Sequence, residues 1–192
     1  MSVTDRDYFR DINMTDPFIA KRFEALVLPH MNSAFNVARW LTHNDQDAQD
    51  VVQEAYLRAF RFFGGFRGDD ARAWLLSIVR NTFYTWYQQN RGHAPDTQVF
   101  EEDLHSLETA DSAPDDSPEA MLIRSQSRKR VHVALRSLRL EYREVVVLRE
   151  LEELSYKEIA AIVGIPMGTV MSRLGRGRQQ LAVLLAPTDQ EA

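Results

Sequence analysis

The sequence predicts an all-α protein of two small helical domains joined by a flexible acidic linker. Apolar residues recur at i, i+3, i+4 and i+7 in two separate blocks, which is the spacing of amphipathic helices. The segment between the blocks has no sustained period and is rich in acidic residues and proline. Near the C-terminus, two short helices are joined by a turn that contains glycine. The expected divisions are a tail over 1–16, a first domain over 17–91, the linker over 92–118, a second domain over 119–186 and a tail over 187–192.

Charge is segregated along the chain. The 192 residues include 23 Lys and Arg and 28 Asp and Glu, a net charge of −5. Residues 92–120 hold nine acidic residues and no Lys or Arg, whereas residues 128–181 hold 11 Lys and Arg against six Asp and Glu. The second domain is therefore basic enough for a nucleic-acid partner, although the whole chain is acidic.

Composition excludes several classes of protein. The chain has no cysteine, which rules out a disulfide framework and a thiolate zinc site. Its N-terminus is polar and acidic without the apolar core of a signal peptide, and no run of about 18 apolar residues occurs. The five histidines lack metal-ligand spacing, and no phosphate-binding loop or nucleophile elbow is present. We therefore expect a soluble cytoplasmic protein that is not an enzyme and has no metal, no cofactor and no catalytic residues.

The first domain is expected to contain three or four helices. A turn over residues 42–45 separates a helix from the next one, over 45–61. Three glycines within residues 64–68 break the following connection, and a further helix is predicted over 71–89. The apolar stripe of the 45–61 helix leaves a polar face opposite, which carries Asp47, Asp50, Gln53, Glu54 and Arg58.

The second domain ends in a predicted helix-turn-helix. Ser155 and Glu158 match the capping box that starts a helix, and Gly164 suits a helix end in the left-handed conformation. Pro166 suits the opening of the next helix. Such a pair of helices places its second helix in the major groove of DNA. The candidate duplex contacts on this second helix are Thr169, Met171, Ser172, Arg173, Arg176 and Arg178.

The arginines of this second helix are expected to carry an uncompensated positive field. No acidic residue occurs in the sequence between Glu158 and Asp189, and guanidinium groups suit guanine edges and phosphate oxygens. Gly175 and Gly177 lie in the same helix, where each costs about 1 kcal/mol relative to alanine. Either they allow a close backbone approach to DNA or they are merely tolerated, and both alternatives stay open.

Two stretches also match a known family as whole motifs. The stretch LSYKEIAAIVGIPMGTVMSRLGRGRQQL resembles the fourth region of the extracytoplasmic-function (ECF) sigma factors, small two-domain members of the bacterial sigma-70 family. The stretch DAQDVVQEAYLRAFRFFGGFRGDDARAWLLSIVRNTFYTWYQQNR resembles their second region. In the family, the fourth region binds the minus-thirty-five promoter element, and the second region binds core RNA polymerase and opens the minus-ten element. The blocks that hold these stretches cover most of the chain and follow the family's order.

The resemblance implies a role for each surface of the first domain. The polar face of the 45–61 helix would meet the coiled coil of the polymerase's largest subunit, through Asp47, Asp50, Gln53, Glu54, Leu57 and Arg58. The glycine-broken loop and the next helix would capture the opened DNA strand, through Phe66, Arg67, Asp69, Trp74, Arg80 and Asn81. Phe62 and Phe63 are further candidates for a stacking platform, and the polymerase flap is the expected partner of the second domain.

By resemblance, the protein is an alternative sigma factor for stress-responsive promoters, controlled by an anti-sigma factor. The acidic linker would then enter the RNA-exit path of the polymerase. Two other classes stay open. A sigma mimic would sequester an anti-sigma factor without touching DNA, but it has no need for three exposed arginines. A helix-turn-helix transcriptional regulator would leave the whole first domain unexplained.

Overall fold

The computed structural model describes residues 17–68, 70–90 and 117–186. The predicted tails, residue 91 at the end of the predicted first domain, residues 92–116 of the predicted linker and the candidate residue Asp69 lie outside the described residues. Within the described ranges the chain forms helices and turns and no strand, so the all-α prediction is confirmed. The chain divides into two compact units, one up to Trp86 and the other from Tyr87.

In the first unit, residues 17–90 as far as they are described form four α-helices. They are α1 (Pro17–Val27), α2 (Met31–Thr42), α3 (Asp45–Phe62) and α4 (Ala71–Gln89). His43 ends α2 in the left-handed conformation, with φ of 62°, and its N–H donates to the Arg39 carbonyl. The Asn44 side chain then caps α3 by accepting from the Asp47 N–H at 3.0 Å. The tight turn predicted between these two helices therefore has a local physical cause, because a cap satisfies backbone donors that the first turn leaves unpaired.

Small side chains and aromatic rings form the core of this unit. The buried stripe of α3 consists of Ala48, Val51, Ala55 and Ala59. Such small residues allow α3 to lie close against α2. At the C-terminal end of α3, Phe23 of α1 contacts the rings of Phe60 and Phe63 edge to face, at centroid distances of 5.1 and 5.2 Å. This aromatic cluster anchors the end of α3, from which the glycine-broken loop departs.

The described residues of the second unit also form four α-helices. They are α5 (Pro118–Arg136), α6 (Leu140–Val146), α7 (Tyr156–Val163) and α8 (Met167–Leu185). After α6 the chain continues into a π-helical turn over Val147–Leu151. The buried Arg143 donates to the carbonyls of Arg136 and Leu138 and so satisfies the end of α5. Arg149 donates to the Leu154 carbonyl at 2.8 Å and closes the loop that leads to α7.

Gly177 lies where α8 packs tightly against α6. A Cβ atom added to Gly177 would lie 2.7 Å from Cγ2 of Val146, whereas one added to Gly175 would meet nothing within 4 Å. Gly177 is buried and faces α6, not the exposed side of the helix. Its role is therefore internal packing. Neither a close approach to DNA nor mere tolerance describes Gly177, because it allows a close approach between two helices of the same protein.

Candidate nucleic-acid and protein interfaces

The helix-turn-helix is formed by α7, the turn after it and α8. The Glu158 N–H donates to Ser155 Oγ at 3.2 Å, and the Ser155 N–H donates to Glu158 Oε2 at 2.6 Å. This reciprocal pair is the predicted capping box. Gly164 ends α7 with φ of +71° and donates to the Ala160 carbonyl. Pro166 directly precedes α8. The turn therefore fixes the direction in which α8 leaves.

The exposed side of α8 carries polar side chains at helical spacing. Val170 and Leu174 are buried on one side of the helix. Residues on the other side follow at steps of three and four: Thr169, Ser172, Arg176 and Gln179. Met171 is exposed on a flank of this face. Gln179 was not among the predicted contacts, although its position three residues after Arg176 places it on the same face of the helix.

Two of the three arginines of α8 are paired with carboxylates. Arg178 donates through Nε and Nη2 to Oε1 of Glu150, at 2.9 and 2.6 Å. Arg173 Nη2 lies 3.7 Å from Glu141 Oε2. The expectation of an uncompensated field was therefore wrong for these two, because packing of α6 and the π turn against α8 brings distant carboxylates beside them. Arg176 is exposed and makes no ion pair within the described part of the chain.

The aromatic rings around the glycine-broken loop differ in exposure, because Phe63 and Phe66 are buried whereas Phe62, the last residue of α3, is exposed. Phe66 is 6% exposed and contacts the rings of Phe63 and Trp74, at centroid distances of 5.8 and 4.8 Å. The structure therefore contradicts the expectation that Phe66 offers a stacking face to a base, because its faces are taken by core contacts. Phe62, one residue before Phe63, is 61% exposed.

Arg67 and Asp70 stabilise this loop. Arg67 Nη1 donates to the carbonyls of Gly64, at 2.7 Å, and Phe66, at 3.3 Å. Asp70 accepts from the Ala73 N–H at 2.8 Å and so starts α4. The predicted contact Arg67 is exposed, so it braces the loop from the solvent side.

The partly exposed face of α4 continues away from this loop. Trp74, Ser77, Asn81 and Tyr84 follow one another at steps of three and four residues, with Arg80 beside them. The Arg80 guanidinium lies 4.5 Å from the centroid of the Tyr84 ring, in cation–π geometry. The face thus combines a cation, an amide and two aromatic rings. Tyr84 was not among the predicted contacts, although its position three residues after Asn81 places it on the same face.

The predicted protein-binding face of α3 is partly exposed and acidic. Asp47, Asp50, Gln53, Glu54, Leu57 and Arg58 lie side by side on it. Arg58 Nε pairs with Glu54 Oε1 at 2.8 Å, which partly neutralises that carboxylate. Burial, together with the neighbouring Asp50 carboxylate, raises the pKa of Asp47. Leu57 is 50% exposed in the middle of this polar surface.

An apolar groove between α2 and α3 adjoins this acidic face. It has a volume of about 600 Å³ and is lined by Met31, Asn32, Phe35, Gln49, Val52, Gln53, Tyr56, Leu57 and Phe60. Gln53 and Leu57 belong to both surfaces. Tyr56 donates to the Val27 carbonyl at 3.4 Å, and burial raises its pKa to about 12. The groove was missed from the sequence because its two walls come from different helices.

Comparison with known proteins agrees with both units. The family model "Sigma-70 region 2" matches residues 26–93, and the model "Sigma-70, region 4" matches residues 128–181. The RNA polymerase sigma-H factor of Pseudomonas aeruginosa is 36% identical over 174 residues, which cover 90% of each chain. The ECF RNA polymerase sigma-E factor of Escherichia coli K12 is 34% identical over 84% of this chain and 85% of its own. The chain belongs to the ECF group of the sigma-70 family of transcription initiation factors.

The fold has a matching solved structure. The sigma factor RpoE of Bartonella quintana, crystallised with the anti-sigma factor NepR, gives a TM-score of 0.64 at 28% identity. The match covers 86% of this chain and 97% of that one. Among the described residues, no group of three or more potential ligands could hold a metal ion, and no helix is long and apolar enough to cross a membrane.

Proposed function

We propose that this protein binds core RNA polymerase and directs it to specific promoters as an ECF sigma factor. Catalysis then belongs to the polymerase, and we expect the protein to act in the cytoplasm, where the polymerase works. One observation carries the proposal. A single chain combines a capped helix-turn-helix with an exposed polar face and a separate unit with an acidic face beside an apolar groove.

In this proposal α8 binds the duplex of the minus-thirty-five element. Arg176 is the best candidate for a bidentate guanine contact, which contributes about 1–3 kcal/mol of discrimination. Thr169 and Ser172 lie on the same exposed side and can contact bases or phosphates. The exposed Met171 can pack against a thymine methyl group. Arg173 and Arg178 flank this set and suit phosphates.

The loop after α3 and the exposed face of α4 would hold the opened strand of the minus-ten element. Trp74, Arg80 and Asn81 contribute to a surface of rings and polar groups suited to unpaired bases, where stacking is worth about 1–3 kcal/mol per base. Because Phe66 is buried, we assign the stacking role at the loop to the exposed Phe62. Arg67 and the predicted contact Asp69 would lie beside the captured base.

The acidic face of α3 and the adjoining groove would bind the coiled coil of the polymerase's largest subunit. The carboxylates suit a basic partner, while Leu57 and the groove offer apolar area for a helix to cover. An anti-sigma factor is the expected competitor, since the Bartonella relative was crystallised with one. In the same proposal, the second unit contacts the polymerase flap.

The test is run-off transcription with core polymerase on a genomic promoter library. We expect specific start sites that depend on this protein and share upstream and downstream elements. A complex that forms with core polymerase but yields no start sites would favour the sigma mimic. Binding to DNA without any binding to core polymerase would favour the helix-turn-helix regulator.

A further inference from the structure

Two carboxylates of the second unit stand on either side of the DNA-facing helix α8. Glu150, in the π turn, takes both the Nε and the Nη2 hydrogen of Arg178 on one oxygen atom. Glu141, near the start of α6, lies 3.7 Å from Arg173 and 3.3 Å from Arg139. Both pairs are partly exposed, so solvent and a bound duplex can reach them.

We propose that Glu150, and more weakly Glu141, compete with DNA phosphates for the arginines of α8 and so limit sequence-independent binding. The proposal rests on the proposed function, since it assumes that α8 meets a promoter duplex. It makes Glu150 a residue that determines specificity without touching a base.

The geometry explains why the competition is direct. Arg178 uses one edge of its guanidinium group on Glu150, and that edge is also the one that suits a phosphate oxygen pair. An exposed ion pair is weak, so a phosphate can displace the carboxylate, but the displacement lowers the gain from the new contact. Two hydrogen bonds hold Arg178 to Glu150, whereas Arg173 Nη2 lies 3.7 Å from the Glu141 carboxylate. The effect of Glu150 should therefore exceed that of Glu141.

The consequence concerns specificity. Contacts between arginine and phosphate add affinity for any duplex, whereas contacts to base edges distinguish sequences. Pairing Arg173 and Arg178 with carboxylates leaves Arg176 as the α8 arginine without an ion pair in the described part of the chain. The affinity for promoter-free DNA should then be lower than three unpaired arginines would give. Base contacts contribute a larger share of the remaining affinity.

The experiment uses the full chain bound to core polymerase and compares Glu150→Gln with Glu153→Gln. Glu153 is an exposed carboxylate three residues further on, without an ion pair among the described residues, so the control changes the net charge equally. Binding to a promoter-free duplex and to a promoter is measured over a range of KCl concentrations. We expect E150Q to bind promoter-free duplex about two- to five-fold more tightly than E153Q does, the range that one exposed ion pair allows. The plot of log affinity against log salt should steepen by about 0.9, the value for one added phosphate contact.

A second comparison tests whether Glu150 acts through Arg178. In an Arg178→Gln background, E150Q should bind promoter-free duplex no more tightly than E153Q does, because the competing arginine is gone and both substitutions change the net charge equally. A gain over E153Q that persists in this background would overturn the proposal. If E150Q lowers the unfolding temperature, Glu141→Gln replaces it, with a smaller gain expected, and no gain overturns the proposal.

The outcomes separate this inference from the proposed function. Equal binding by E150Q and E153Q, while the unaltered protein selects normal start sites, overturns the inference alone. Weaker binding by E150Q also overturns it, since Glu150 would then orient Arg178 toward DNA. Failure of the unaltered protein to select any start site would count against the proposed function instead.

Discussion

The two glycines of α8 allow a matched test of how this helix packs. Gly177→Ala adds a methyl group 2.7 Å from Val146 Cγ2, and 3.5 Å from Cβ of Tyr142. Val146 is buried and β-branched, so its side chain has little rotamer freedom in a helix with which to move aside. Gly175→Ala adds the same group to the same helix with nothing within 4 Å. The two variants therefore differ in steric fit far more than in helix propensity.

This comparison isolates the cost of the clash. Each substitution gains up to about 1 kcal/mol of helix propensity, so that gain cancels between the two variants. Overpacking of a well-packed core costs about 1–3 kcal/mol. We therefore expect Gly177→Ala to be about 1–3 kcal/mol less stable than Gly175→Ala, since the propensity gain drops out. For a unit of this size, 1 kcal/mol corresponds to a shift of about 4–8 °C in the unfolding temperature.

The assay can assign the change to the second unit. All three tryptophans, Trp40, Trp74 and Trp86, lie in the first unit. Tryptophan fluorescence should therefore give the same transition for both variants, while circular dichroism of the full chain should show the second unit unfolding earlier in Gly177→Ala. If Gly177→Ala proved as stable as Gly175→Ala, the close contact between α6 and α8 would be wrong.

Four further predictions use the same protein. Ser155→Ala removes the cap of α7 and should destabilise the second unit by about 0.5–2 kcal/mol, seen by circular dichroism; an unchanged transition would contradict the capping box. Arg176→Ala should weaken promoter binding by the polymerase complex about five- to 100-fold, as loss of a bidentate contact predicts, and leave core binding unchanged; an equal loss of core binding would contradict the division of roles. Leu57→Asp should weaken core binding in a fluorescence titration with labelled polymerase without lowering stability, because Leu57 is exposed; tight binding would exclude this face. The stability conferred by neutral Tyr56 is complete below pH 10 and falls as the pH rises toward 12, so the chemical denaturation midpoint should drop more steeply over that range than in Tyr56→Phe.

Local signals explain what the sequence predicted correctly. The capping box of α7 depends on two residues three positions apart, and the left-handed end of α7 depends on a glycine. Both devices act within one turn of chain, so the sequence contains everything needed to infer them. The polar side of α8 follows from helical periodicity in the same way.

Contacts between different structural elements explain what the sequence did not predict. Arg178 and Glu150 lie 28 positions apart in the sequence, and their pairing lowers the positive electrostatic potential of α8. Phe66 is adjacent to glycines and charges in the sequence, yet Phe63 and Trp74 enclose it from two different elements. The α2–α3 groove likewise exists only once two helices pack. In each case a contact with a side chain of another element decides whether a residue is available to a partner.

The ion pairs also bear on how an acidic chain can select promoters. Residues 128–181 hold 11 Lys and Arg against six Asp and Glu, but two of the three arginines on α8, the helix that we propose binds the duplex, are already matched to carboxylates. Affinity of this unit for arbitrary duplex should therefore be modest, since each unmatched cation adds a sequence-independent phosphate contact. A modest upstream contact is sufficient when a second interface on the same chain binds the opened strand, because the second binding event becomes intramolecular. Under the proposed function, a site with only one of the two elements would then lose most of the combined affinity, and selectivity would follow from two weak contacts instead of one strong one.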